Sequence, residues 1–249
     1  RLYIRTFGCQ MNEYDSARIS EILRRRGYEP TDDAEQADLI LLNTCSIREK
    51  AEAKVISAAA RFQGLKARRP DIVLAVAGCV AQQEGARLLG RLPQVDLVFG
   101  PDNIARCADL VEAVRESRRR VAVTAVIDAQ DYTFLSADPR PEDVGTTALV
   151  TIQKGCDNHC AYCVVPAVRG REVSRPLREV VAEVERFVAA GAREVTLIGQ
   201  NVNSYRGAAG GIDDFVTLLE TVAAVPGLLR LRFTTSHPRD FTPALARAF

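Results

Sequence analysis

The sequence has no long apolar run: no stretch approaches the ~20 consecutive apolar residues that a membrane-crossing helix needs. It has no excess of either charge, with 33 basic against 32 acidic residues and a net charge of +1. Composition alone therefore gives no pointer to nucleic acid. Lysine is scarce, at Lys50, Lys54, Lys66 and Lys154 only, so the basic runs Arg24–Arg26 and Arg118–Arg120 are arginine. Each run reads as lying near a helix end, where a cation suits the dipole. There is no internal repeat, no low-complexity tract and no signal-like opening, since the residues from Leu2 read directly as a strand. The chain does not open with Met and stops at Phe249, within what reads as the first turn of a helix from Pro243. We take it as a piece of a longer protein. There are seven cysteines, an odd number, and they are not spaced as in a small secreted scaffold, so reduced cysteines kept for reactivity or metal are the better reading.

What the 249 residues do contain is α/β periodicity, 47% hydrophobic material and length enough for two domains. Strand-like runs at Leu2–Thr6, Leu39–Leu42, Ile72–Ala77, Asp96–Phe99 and Val121–Ile127 alternate with amphipathic helices, the pattern of a parallel sheet. Ser46-Ile-Arg-Glu49 reads as a capping box. A helix is expected over Val80–Leu89, and another after Pro101-Asp102 with Ile104, Cys107, Leu110, Val111 and Val114 on its apolar face. Residues 128–146 show no period and read as a linker. A second βα series follows over 147–249: strand Ala148–Gln153, helix Leu177–Ala190, strand Glu194–Ile198, helix Asp213–Ala224, strand Leu229–Thr234. The expectation is a Rossmann-like N-terminal domain over 1–127, then the first part of a (β/α) barrel.

Six cysteines fall just past the ends of expected parallel strands. Cys9 follows the first, Cys45 the second and Cys79 the third, and in an open α/β sheet such ends share one rim where ligands bind. Cys45 and Cys79 precede expected helices, whose N-termini favour thiolate. Gly8 and Gly78 would let the backbone approach a bulky ligand. A set of three buried small hydrophobes is the alternative. Cys107, on an apolar helical stripe, is expected in the core. Cys156, Cys160 and Cys163 form a C-x3-C-x2-C loop after a strand. Zinc would want a fourth ligand, and His159 beside Cys160 is an awkward one. An iron–sulfur cluster on three thiolates would keep one iron open.

"KGCDNHCAYC" resembles the radical S-adenosylmethionine (SAM) enzymes, and "TFGCQMNEYDS", "NTCSIREKA", "AGCVAQQEG", "RGREVSRP", "LIGQNVNSY" and "RFTTSHP" resemble their methylthiotransferase family over essentially the whole chain. Gln10-Met11-Asn12 matches the branch acting on N6-dimethylallyladenosine. The sister branches, on threonylcarbamoyladenosine or a ribosomal protein, tend to read otherwise there. "PAVRG" departs from the usual Tyr-Thr before Arg-Gly.

The resemblance implies two 4Fe–4S clusters, one on Cys156, Cys160 and Cys163 that reduces SAM to a 5′-deoxyadenosyl radical, and an auxiliary one on Cys9, Cys45 and Cys79 that holds sulfur. It implies methylthiolation at C2 of the base at position 37 of tRNA, a flavodoxin or ferredoxin electron donor, and a monomeric cytoplasmic enzyme without a membrane. SAM contacts are expected from Tyr162, Arg175, Gly199, Gln200, Asn201, Ser236 and His237, and Asn12 and Asn43 are expected around the auxiliary cluster. Family members continue with further barrel strands and a basic RNA-binding domain, so residues 1–249 alone are expected to bind tRNA poorly. The different class to weigh is a zinc-stabilised binding module.

Overall fold

The computed structural model describes residues 1–46, 49–207 and 214–248, and their contacts divide into two compact units. The first comprises Arg1–Ile127 with Ala167–Arg169, the second Asp128–Pro166 with Gly170–Phe249.

In the first unit the short aliphatic runs become β1 (Leu2–Phe7), β2 (Leu39–Thr44), β3 (Val73–Gly78), β4 (Leu97–Phe99) and β5 (Val121–Val123). They form one sheet, all pairs parallel, in the order β1-β2-β3-β4-β5. Every residue of β2 and β3 is buried, as befits parallel strands covered on both faces. Helix α1 (Gln10–Arg24) packs on β1 and β2. With α2 (Glu49–Arg61) and α3 (Gln63–Arg68) following β2, the core buries Ile40, Leu42, Leu74, Val76 and Val98 with Val55 and Ala59 of α2 and with Val80 and Leu88. The strand order never reverses, so there is no switch-point crevice of the doubly wound kind. The rim past β1, β2 and β3 is continuous instead.

Two local expectations change. The helix over Val80–Leu89 is two short ones, α4 (Cys79–Glu84) and α5 (Ala86–Arg91), because Gly85 between them takes φ +51°. The helix after Pro101 opens as a 3₁₀ turn, Pro101–Arg106, and becomes α6 (Cys107–Ser117) only at Cys107. The capping box over Ser46–Glu49 lies partly outside the described residues.

In the second unit β6 (Thr147–Thr151) pairs in parallel with β9 (Glu194–Ile198), which pairs in parallel with β10 (Arg230–Phe233). The strand expected to run on to Gln153 breaks, and β7 (Gln153–Lys154) pairs antiparallel with β8 (Val173–Ser174). Between them in sequence lies α7 (Val165–Arg169), whose last three residues group with the first unit. Helices α8 (Leu177–Ala189) and α9 (Phe215–Ala223) bury Val180, Val184, Leu218 and Val222 on Val150, Val195 and Leu197, and Leu245 of α10 (Pro243–Arg247) joins that core. Helix α9 was expected from Asp213, which lies outside the described residues; Asp214 caps it, its Oδ1 accepting from Thr217 N at 2.9 Å.

Residues 128–146 are not a free linker. Ala137 belongs to the second unit's core, its N–H donating to Glu183 Oε2 at 3.0 Å while Arg186 Nε donates to its carbonyl at 3.0 Å. Aperiodicity reports the absence of regular structure and says nothing of packing. No described helix is long and apolar enough to cross a membrane.

Candidate functional site

Register builds the first site. Phe7 pairs with Thr44 and Thr44 with Gly78, so Cys45 and Cys79 each stand one residue past their strand and Cys9 two past its own. Three cysteines far apart in sequence thereby meet at one rim. Cys9 is the N-cap of α1, and Asn12 in the first turn reaches back to its N–H at 3.5 Å and to its Sγ at 3.4 Å. Asn12 is fully buried and also donates to Asn43 Oδ1 and Thr44 O, both at 3.1 Å. Asn43 donates back to Asn12 O at 2.8 Å and to Ser16 Oγ at 2.9 Å. This closed amide network fixes α1, and with it Cys9, against the end of β2.

A hydrogen bond with Cys45 is the main cause that lowers the Cys9 thiol from 9.0 to about 6, helped by the Asn12 and Met11 backbone N–H groups and opposed by burial. Glycine is required beside each outer cysteine. A Cβ on Gly8 (φ +152°) would lie 2.5 Å from Cys45 Cβ, and one on Gly78 (φ +94°) 2.4 Å from Thr44 O.

Arg169 completes the first unit's rim. Its Nε donates to Cys79 Sγ at 3.4 Å and its NH2 to Asp15 Oδ2 at 2.6 Å. The sequence reading missed both residues. "VRGR" and "NEYDS" show an arginine and an aspartate in loop and helix contexts, but nothing local says that they are buried against each other. Cys107 is fully buried, and burial pushes its thiol up to about 12; it is a core residue.

The second site is local. Gly155 (φ +74°) lets the chain pass so close to its neighbour that a Cβ would sit 2.0 Å from Arg171 O. Cys156 N donates to Gly170 O at 3.2 Å, Asn158 N to Cys156 Sγ at 3.4 Å, and Cys163 N to Cys160 O at 2.9 Å. Burial raises the Cys156 thiol. Lys154 is buried with its ammonium 4.2 Å from the Tyr132 ring centre, a cation–π contact that satisfies a desolvated charge. Tyr162 is 92% exposed.

Gln153, another residue the sequence reading passed over, ties this loop to the next strand end. Its Oε1 accepts from Gln200 N at 2.9 Å and Asn201 N at 3.1 Å, its Nε2 donates to Gly155 O at 2.9 Å, and Gln200 Oε1 accepts from Gly155 N. Gly199 packs on the same glutamine, where a Cβ would come 2.8 Å from its Oε1. Asn201 and Asn203 both accept from His237 N, at 3.0 and 2.9 Å, and His237 Nε2 lies 3.8 Å from Cys160 Sγ. Thr235, in the left-handed region at φ +74°, turns the chain out of β10 toward exposed Ser236 and half-buried His237, a strained conformation for a β-branched residue. The strand ends therefore bring Gly199, Gln200, Asn201 and His237 to the cysteine loop.

Arg175 departs from its expectation as a SAM contact. It is fully buried, its NH2 pairs with fully buried Glu183 at 2.8 Å and donates to Ser136 Oγ at 2.9 Å, and NH1 donates to Thr151 O at 3.3 Å. Its charge is already engaged inside the unit, which "SRP" could not reveal.

Among the described residues no three Cys, His, Asp or Glu side chains close into a metal cage; the thiols hold one another and protein donors. The donor chemistry nevertheless fits a thiophilic cluster in each unit. Each trio is all sulfur, free of disulfides, and braced by backbone or side-chain N–H groups, and Cys9 favours thiolate at neutral pH. His159, the histidine next to Cys160 in sequence, is exposed, whereas His237 is the one whose ring nitrogen lies beside Cys160 Sγ.

Residues 1–100 match the model of the uncharacterized protein family UPF0004, and residues 150–249 that of the radical SAM superfamily. The fold of a radical S-adenosylmethionine methyltransferase, TsrM, from Kitasatospora setae is similar at a TM-score of 0.61 and 17% identity, covering 100% of this chain and 57% of that one. The order of the matches is a UPF0004 segment followed by a radical SAM segment. The chain is 55% identical over its whole length to the tRNA-2-methylthio-N(6)-dimethylallyladenosine synthase of Anaeromyxobacter sp. (strain K), covering 52% of that protein. It is 53% identical to the one from Myxococcus xanthus (strain DK1622), again over its whole length and 53% of the relative. Over its whole length the chain is thus similar to these tRNA-2-methylthio-N(6)-dimethylallyladenosine synthases, with a UPF0004 match followed by a radical SAM match. It spans about half the length of these curated relatives.

Proposed function

We propose that the full-length protein adds a methylthio group to C2 of N6-dimethylallyladenosine at position 37 of tRNA. The observation that carries this reading is the register of β1, β2 and β3, which sets Cys9, Cys45 and Cys79 past three neighbouring strand ends. That second thiol trio supports a sulfur-inserting enzyme over a radical SAM protein with one cluster, and the names of the relatives supply the substrate class.

The target carbon bears an unactivated C–H bond, which no side-chain base or nucleophile replaces. In this reading Cys156, Cys160 and Cys163 hold one 4Fe–4S cluster and Cys9, Cys45 and Cys79 the other, three thiolates apiece leaving one iron without a protein ligand. When bound, the clusters supply the electron that cleaves SAM and the sulfur that is delivered. The protein's own part is positional. Gln153 and Gln200 hold the loop of the second trio to the end of β9, and Asn201 and Asn203 hold His237 beside Cys160. Tyr162, Gly199, Gln200, Asn201, Ser236 and His237 are assigned to SAM, and Asn12 and Asn43 to the surroundings of the auxiliary cluster. Arg175 is given the structural task of pairing Glu183. The assigned partners are tRNA and a flavodoxin or ferredoxin donor, for a monomer in the cytoplasm.

The test is mass spectrometry of dimethylallyl-modified tRNA after anaerobic incubation with iron- and sulfide-loaded full-length enzyme, SAM and reductant. The expected product carries an added methylthio group on the modified adenosine. A loaded enzyme that leaves the nucleoside mass unchanged overturns the proposal, as does a colourless protein carrying zinc.

A further inference from the structure

We propose that Arg169, oriented by Asp15, is a positioning residue for the Cys79 thiolate and through it sets the reduction potential of the auxiliary cluster; this rests on the cluster reading above. The side chains of Arg169 and Asp15 are 5% and 7% exposed. A guanidinium taken out of water costs several kcal/mol (order of magnitude) unless its N–H groups meet anions. Here one planar fork serves two acceptors, with NH2 on Asp15 Oδ2 at 2.6 Å and Nε on Cys79 Sγ at 3.4 Å. Two fixed bonds from a planar group leave its orientation no freedom, which lysine could not reproduce.

An N–H donor and a fixed positive charge on a ligand sulfur stabilise the more negatively charged, reduced state of a cluster and raise its potential. Asp15 acts in the opposite sense, since its negative charge offsets the guanidinium. Asp15 and Cys79 are brought in from different elements, α1 and the end of β3. Arg169 comes from a third place in the sequence, although it belongs to the same unit.

The opposite signs give the test. In full-length protein carrying Cys156→Ala, Cys160→Ala and Cys163→Ala, only the auxiliary cluster remains to be titrated. Iron content, and a reductive titration followed by electron paramagnetic resonance, are compared across variants. Arg169→Gln is expected to shift the potential down and Asp15→Asn to shift it up. Arg169→Lys, keeping the charge without the fork, should shift it down by less than Arg169→Gln and change the spectrum of the reduced cluster. A purely structural pair would lower thermal stability in every variant without moving the potentials in opposite directions. If Arg169→Gln fails to fold, Asp15→Asn and Arg169→Lys still decide. Unchanged potentials in a loaded protein overturn this proposal alone. A parent protein that takes up no cluster overturns the cluster reading, and this proposal with it.

Discussion

The two cysteine trios proposed to hold clusters come together by opposite routes. Cys156, Cys160 and Cys163 are neighbours because the chain makes them so, in one loop pinned by the Gly155 backbone and the Gln153 side chain. Cys9, Cys45 and Cys79 are neighbours only because three strands align in parallel and in register. A loop trio can keep its spacing while the surrounding unit adjusts. A dispersed trio takes its spacing from the sheet, so anything that disturbs β1, β2, β3 or α1 disturbs the trio. The supports differ accordingly: a glutamine holds the loop, and a closed asparagine pair, Asn12 with Asn43, holds the sheet rim.

The largest effect expected from breaking this comparison is chemical. In the full-length enzyme, Cys156→Ala should reduce formation of 5′-deoxyadenosine to background. Cys79→Ala should leave that cleavage measurable while abolishing methylthio transfer. Each should remove about half the bound iron, one cluster of two. Chromatography of the nucleoside products with iron analysis checks both, and identical behaviour of the two variants would sink the division of labour between the trios.

Next in size is the contrast between the buried arginine pairs, Arg169 with Asp15 in the first unit and Arg175 with Glu183 in the second. Arg175→Met strands a buried carboxylate and should cost about 3–5 kcal/mol, whereas Arg175→Met with Glu183→Leu should come out near neutral. Denaturant unfolding of the full-length protein measures both. A single variant as stable as the parent would mean that Arg175 is free for another role, and the SAM contact expected from sequence would return.

Those pairs also mark how far the sequence could be read. The strands of the first unit, their parallel pairing and the three cysteines past their ends were legible, because short aliphatic runs and the glycines beside them are local signals. The break of a single expected helix at Gly85 was written in the sequence too, as a glycine between Glu84 and Ala86, but a mid-helix glycine is tolerated often enough to be passed over. What local patterns could not carry was partner choice. Arg175 in "SRP" could equally pair an exposed ligand or a buried Glu183, and the difference lies in where α8 packs. Arg169 sits among residues of the second βα series yet belongs to the first unit, and no periodicity reports such a transfer. Residues 128–146 packed for the same kind of reason: Ala137 uses backbone groups, which every sequence has.

The smallest effect is the most local, and it separates the rim thiol from the core thiol. Cys9 stands near 6, lowered mainly by its hydrogen bond with Cys45, and Cys107 near 12, raised by burial. In the apoprotein, iodoacetamide should modify Cys9 at a rate that climbs through pH 6 and levels off by about pH 7, while native Cys107 stays unmodified. The sign for stability follows. Because the folded Cys9 value is depressed, its contribution is fully present above the ordinary thiol range near 9.0 and is lost as pH falls through about 6. Cys45→Ala removes the main cause and should return the Cys9 profile toward that of an ordinary thiol. A Cys9 rate that ignores Cys45 would mean that the two strand ends do not share a proton in solution. The dispersed trio would then be three separate cysteines, whatever their register.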